Sequence, residues 1–135
     1  MTLVGAARFV AVAVLVWCAQ AVPGALYVLF GLNTTAPEAP GYVLTSVPWI
    51  IACLAFAGVW AGVPAGTPPA LRALGAPAAY AVVGTGLVLL VWGGGWSDVL
   101  FELRWGVYPS GHLLAVAAVA AFLGLRGWTL SRRGR

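Results

Sequence analysis

Residues 9–32 read FVAVAVLVWCAQAVPGALYVLFGL, from Phe9 to Leu32, without a single charged side chain. A run of this length covers the ~20 residues that a helix needs to cross a ~30 Å hydrocarbon core. It is too long for a barrel strand and lacks the alternation of one. Three more runs follow, at about 44–63, 70–92 and 109–128. The reading is an all-α integral membrane protein. Four transmembrane helices pack as an antiparallel up-down bundle, because short connections join antiparallel neighbours. The whole chain, 1–135, forms one membrane domain.

Composition agrees with that reading. The chain is 62% hydrophobic and only 7% charged, against about 25% charged in a soluble domain. Seven arginines and no lysine give a net charge of +4. They sit at the ends of the apolar runs and form no basic face, so nucleic acid is not expected as a partner. Arg8, Arg72, Arg126, Arg132, Arg133 and Arg135 share one side of a four-span topology. Glu38, Asp98, Glu102 and Arg104 share the other. The arginine-rich side is cytoplasmic by the positive-inside rule, and with it both termini of a multi-pass protein of the cell membrane. The arginine tail is expected to attract anionic lipid at about 1 kcal/mol per residue. Tyr27, Tyr42, Trp49, Trp92, Trp96, Trp105 and Tyr108 fall near the outer interface, and Trp60 and Trp128 near the inner one.

The connections carry turn residues. One runs from Asn33 to Gly41 and includes an Asn33-Thr34-Thr35 glycosylation pattern on the outer side. Pro64 to Pro69 is another. After Gly93-Gly94-Gly95, residues 97–105 predict a short interfacial helix. Trp96, Val99, Leu100 and Leu103 would share its apolar face, with Asp98 and Glu102 opposite and Ser97 as the cap. Arg8 with the apolar run and Ala19-Gln20-Ala21 is also patterned like a signal peptide with its cleavage site. The run continues past Ala21 to Leu32, which favours a retained helix.

Two polar groups stand out. Gln20, with Thr85, is a candidate mid-membrane contact. Gln20 precedes Pro23, which frees the Ala19 carbonyl and kinks the helix. Its amide can satisfy that carbonyl or bond a neighbouring helix. On the outer face Asp98, Glu102, Arg104 and His112 form a candidate cluster. Cys18 and Cys53 each lie about nine residues into a span, hence ~13 Å deep and at similar depth. They read as small buried hydrophobes. Close helix approach is expected at small-residue pairs: Ala7 with Ala11, Ala117 with Ala121, Ala120 with Gly124, and Gly84 with Gly86.

Pro109-Ser110-Gly111-His112 resembles the second signature of the type 2 phosphatidic acid phosphatases, and Ser131-Arg132 echoes the start of their third. The resemblance implies a lipid-phosphate enzyme in which His112 steadies the transferring phosphoryl group. The chain departs from the family in having no lysine for the first signature. His112 is also its only histidine, so the nucleophile of the third signature is missing. The motif then reads as a helix start with proline in its first turn. In size and span number the chain is similar to the small multidrug exporters, whose first span carries an essential acid; here that span offers Gln20.

No cofactor or metal is expected, since one histidine is not a site. The function expected is a non-catalytic accessory or assembly subunit of a membrane complex, with a membrane-protein partner or a second copy besides the lipid bilayer. The alternative is a small oligomeric transporter or channel, with a lipid-phosphate enzyme third.

Overall fold

The computed structural model describes residues 3–31, 44–62, 66–107 and 111–133. The acceptor pattern at Asn33, Glu38, Tyr42, Tyr108 to Ser110 and Arg135 lie outside the described residues. Among the described residues all regular structure is helical. In chain order the helices are α1 (Leu3–Ala19), α2 (Val22–Leu29), α3 (Val47–Gly62), α4 (Pro69–Trp92), α5 (Trp96–Val107) and α6 (His112–Arg133).

The first apolar run is one helix with a break. α1 stops at Ala19, and α2 starts at Val22 with Pro23 in its first turn. Proline has no N–H to give, and its ring collides with the carbonyl four residues back. The chain responds with a tighter turn: Ala21 N–H bonds the Cys18 carbonyl at 3.4 Å, and Ala25 N–H resumes helical bonding to Ala21 at 3.0 Å. Taken together, Gly5–Leu29 is long and apolar enough to cross a membrane, as is Ala70–Val91 of α4. α5 and α6 meet at a 64° bend and make a third such unit if they count as one broken span. α3 is apolar but has only 16 residues.

Proline and glycine set the ends of α4. Pro68 and Pro69 open it, and Gly93 closes it at φ 73°, with its N–H on the Leu89 carbonyl at 2.7 Å. α3 packs most extensively on α4 and also on α1; α6 packs on α4, α1 and α2. The core lies among α1, α3, α4 and α6. It contains Val16, Trp49, Ala52, Cys53, Phe56, Ala76, Tyr80, Val88, Val116 and Ala120. Alanines at Ala52, Ala76 and Ala120 let the helices approach closely. Of the small-residue pairs, Ala120 and Gly124 are both buried, whereas Ala7, Ala11, Ala117, Ala121 and Gly86 face outward. Cys53 is buried and Cys18 is exposed, and both thiols are free.

The outward surface is apolar. Val10, Val14 and Leu15 on α1, Leu71, Leu74, Val82 and Leu90 on α4, and Leu114, Phe122 and Leu125 on α6 are all exposed. Water penalises such a surface, and hydrocarbon does not.

α5 differs from its expected form in two ways. Its cap is not Ser97. The Asp98 carboxylate folds back and accepts the Gly95 N–H at 2.9 Å, which satisfies an orphan donor at the helix start. Its protein-facing stripe is Val99, Glu102, Leu103 and Gly106, while Trp96, Leu100 and Phe101 are exposed. The stripe follows the i, i+3, i+4, i+7 spacing of a helix face, with Gly106 as its closest point to α6. Glu102 thus shares the inner side with Val99 and Leu103 instead of opposing them.

Candidate functional site

Four polar or amphipathic side chains meet where α1, α3, α4 and α6 converge. Gln20 follows the last residue of α1, Trp49 lies in the first turn of α3, Tyr80 lies at the middle of α4, and His112 begins α6. All four are fully buried. The helix break puts Gln20 just outside regular α-helix, and from there its amide reaches two neighbours. Gln20 Nε2 donates to the Tyr80 hydroxyl at 2.5 Å and to the Trp49 carbonyl at 3.4 Å. The Tyr80 hydroxyl lies 2.9 Å from His112 Nδ1. One continuous line of hydrogen bonds therefore joins the first apolar run to α3, α4 and α6.

The rings pack around that line. The Trp49 centroid lies 4.3 Å from that of His112 and 5.3 Å from that of Tyr80. Trp105 of α5 approaches His112 from another side at 5.7 Å. Tilted arrangements at these separations stabilise by about 0.5–1.5 kcal/mol per pair beyond area burial. Three glycines make the packing possible. A Cβ at Gly84 would stand only 2.1 Å from the Trp49 ring. One at Gly106 would stand 2.6 Å from Leu113 and 3.2 Å from His112 Nε2. Gly111 has φ 68° and lies against Pro23 and Tyr27, which sets the start of α6 onto α2.

Four polar atoms of this region are buried without a partner among the described residues: Gln20 Oε1, Trp49 Nε1, Thr85 Oγ1 and His112 Nε2. Each such group costs about 1–3 kcal/mol when it stays unpaired. A purely structural polar knot would be expected to close on itself; this one leaves capacity at both ends.

The expected mid-membrane pair is placed as follows. Gln20 and Thr85 are both buried, and Gln20 bonds neighbouring helices, not the Ala19 carbonyl. The expected outer cluster is divided. Asp98 caps α5, Arg104 is exposed, and Glu102 is half-buried. Burial, and secondarily the Asp98 carboxylate, raise the Glu102 carboxyl above its usual range. The His112 ring packs into the aromatic group of Trp49, Tyr80 and Trp105. Among the described residues no three His, Cys, Asp or Glu side chains stand together to hold a metal ion. Nor does the phosphatase pattern assemble. Ser131 and His112 lie on one continuous helix, ~28 Å apart at 1.5 Å per residue. A phosphoryl group needs its clamp and nucleophile at one place.

Sequence reasoning missed Tyr80 and misplaced Trp49. Tyr80 carried a usable signal, because tyrosine normally marks the ends of a span and this one sits at the centre. Trp49 carried none. Its position near the start of a span reads as an interfacial anchor, and only Gly84, 35 residues away in sequence, explains why it turns inward. Comparison with protein-family models, with characterised proteins and with solved structures finds no match to this chain.

Proposed function

We propose that the chain is a multi-pass protein of the cell membrane, with four crossings and both termini cytoplasmic, and that it serves as a non-catalytic accessory or assembly subunit of a membrane complex. The observation that carries this is the line Gln20–Tyr80–His112. Its polar groups hold helices to one another, while the outward faces carry large apolar side chains suited to lipid or to another membrane protein. α3 would complete the four crossings at ~24 Å. That is a few ångströms short of the core, a mismatch that local thinning absorbs at modest cost. The arginines at the ends of α1, α4 and α6 supply the orientation, and the tail arginines would meet anionic lipid on the cytoplasmic face.

The test is purification from native membranes in mild detergent. A stoichiometric larger partner is expected; repeated recovery of a lone monomer would sink the proposal. Reporter fusions check the topology, with a cytoplasmic reporter active after Arg135 and an external one active within 93–95.

A second reading, a small transporter or channel, is favoured by one specific feature. Transporter sites form where spanning helices are broken and backbone and side-chain polar groups are freed. Here the α1–α2 break lies beside Gln20, whose Oε1 has no partner among the described residues. Solute flux in reconstituted liposomes, absent from protein-free controls, would shift the assignment to it.

A further inference from the structure

The hydrogen-bond line has a direction, and the direction fixes what its far end offers. The Trp49 carbonyl can only accept, so the Gln20 atom facing it is the amide nitrogen. That nitrogen also faces the Tyr80 hydroxyl. The hydroxyl oxygen accepts there, which leaves its single proton to donate to His112 Nδ1. A neutral imidazole that accepts at Nδ1 carries its proton on Nε2. His112 Nε2–H is thus a fully buried donor with no acceptor among the described residues.

Its surroundings limit what it can bind. The ring lies among the aromatic rings of Trp49, Tyr80 and Trp105. A net charge would be poorly solvated there, whereas an uncharged oxygen acceptor next to flat apolar carbon suits the site. Gly106 of α5 is the close neighbour of Nε2, and it has no side chain to cover that atom. α5 is bounded on both sides by glycines in left-handed or extended positive-φ backbone, Gly93 and Gly94 before it and Gly111 after it.

We propose that His112 Nε2–H, at the seam between α5 and α6, binds the carbonyl oxygen of an uncharged membrane-resident molecule. Two sources offer that chemistry, the head group of a quinone and the acyl ester of a lipid. The membrane origin of the ligand rests on the membrane reading; the tautomer and the donor do not.

His112 is the only histidine, so protein labelled with ¹⁵N-histidine reports one ring. The full chain is held in alkyl-maltoside micelles, whose head groups contain no carbonyl. Three probes are titrated in turn: decylubiquinone, a short-chain diester phosphatidylcholine and its diether analogue. The free protein is expected to show a protonated Nε2 and an unprotonated Nδ1. A saturable shift of the Nε2 resonance is expected with decylubiquinone or with the diester, and the responding probe identifies the source. Gly106→Ala, whose new methyl would crowd Nε2 and Leu113, is expected to abolish the shift and keep the tautomer. Tyr80→Phe removes the donor to Nδ1, so it is expected to mix the tautomers and weaken binding about five- to tenfold, the worth of about one neutral hydrogen bond. A free ring protonated on Nδ1 overturns the proposal. So does silence with both carbonyl probes, or an equal shift with the diether lipid.

Discussion

α4 and α5 are separated by three glycines and turn their side chains the same way, yet are held to the bundle very differently. α4 is an apolar helix that turns its polar residues inward: Tyr80 and Thr85 are buried, while Leu71, Leu74, Val82 and Leu90 face out. α5 carries both of the described acids, yet its large apolar groups Trp96, Leu100 and Phe101 are also on the outside, and half-buried Glu102 is on the inside. In water an apolar stripe marks the core. In hydrocarbon lipid is as good a partner for leucine as another leucine, so hydrophobicity no longer tells inside from outside. What distinguishes the two helices is commitment. α4 is fixed by close packing and by a hydrogen bond at each side of one hydroxyl; α5 is held by a half-buried stripe and a cap.

The sharpest way to break this contrast is to disturb the closest contact of α4. Gly84→Ala puts a methyl 2.1 Å from the Trp49 ring. Trp49 is the anchor of the aromatic group, and a rigid indole must move as a whole. Overpacking of this kind costs about 1–3 kcal/mol, and thermal unfolding in detergent should fall accordingly. An unchanged melting temperature would show that α3 and α4 are less tightly packed than described. Gly86→Ala on the outward side of the same helix meets no atom within 4 Å. It should be neutral or slightly stabilising, since alanine favours helix by up to about 1 kcal/mol.

Next in size is the hydrogen-bond line. Gln20→Leu and Tyr80→Phe each remove one partner of the same bond. Interhelical hydrogen bonds in membranes average about 0.6 kcal/mol and reach about 2 kcal/mol. A double-mutant cycle on the unfolding free energy should therefore return a coupling of about 1 kcal/mol. Strict additivity would separate Gln20 from Tyr80 and leave α4 no more committed than α5.

The all-helical class and the apolar runs were legible because they depend on length and composition alone. So was the weakness at Gln20, because proline acts on the carbonyl four residues earlier whatever surrounds it. The site was only half legible. Gln20 and Thr85 are polar in an apolar run and draw the eye. Trp49 is not, and its inward turn depends on a glycine on another helix. His112 was grouped with Asp98, Glu102 and Arg104 by nearness in sequence. The bend between α5 and α6 then sends its ring toward α3 and α4, which no local pattern encodes. The α5 stripe failed because an amphipathic pattern predicts a side reliably only where one side is water, and the proposed membrane setting removes that guide.

The smaller effects belong to α5. Asp98→Ala removes the acceptor for the Gly95 N–H, and losing such a cap costs about 0.5–2 kcal/mol. Because α5 is the less committed helix, the loss should be local. Amide exchange across 95–99 should quicken while the global melting temperature holds. A fall in melting temperature as large as that of Gly84→Ala would erase the distinction between the two helices.

Smallest is the titration of Glu102. Burial and the nearby Asp98 carboxylate raise its carboxyl above the unfolded value, so the docked helix binds more protons than the free one. The sign follows from linkage: the contribution to docking is present below the unfolded value and is lost as pH rises through the raised one. Amide exchange in α5 should therefore slow as pH falls through that window, after correction for the intrinsic pH dependence of exchange. Glu102→Gln, always neutral, should show slow exchange at every pH and no inflection. An inflection that persists in this variant would assign the titration to another group. A flat wild-type profile would mean that the Glu102 side of α5 faces solvent after all, which would make the helix amphipathic in the ordinary aqueous sense and remove its half of the contrast with α4.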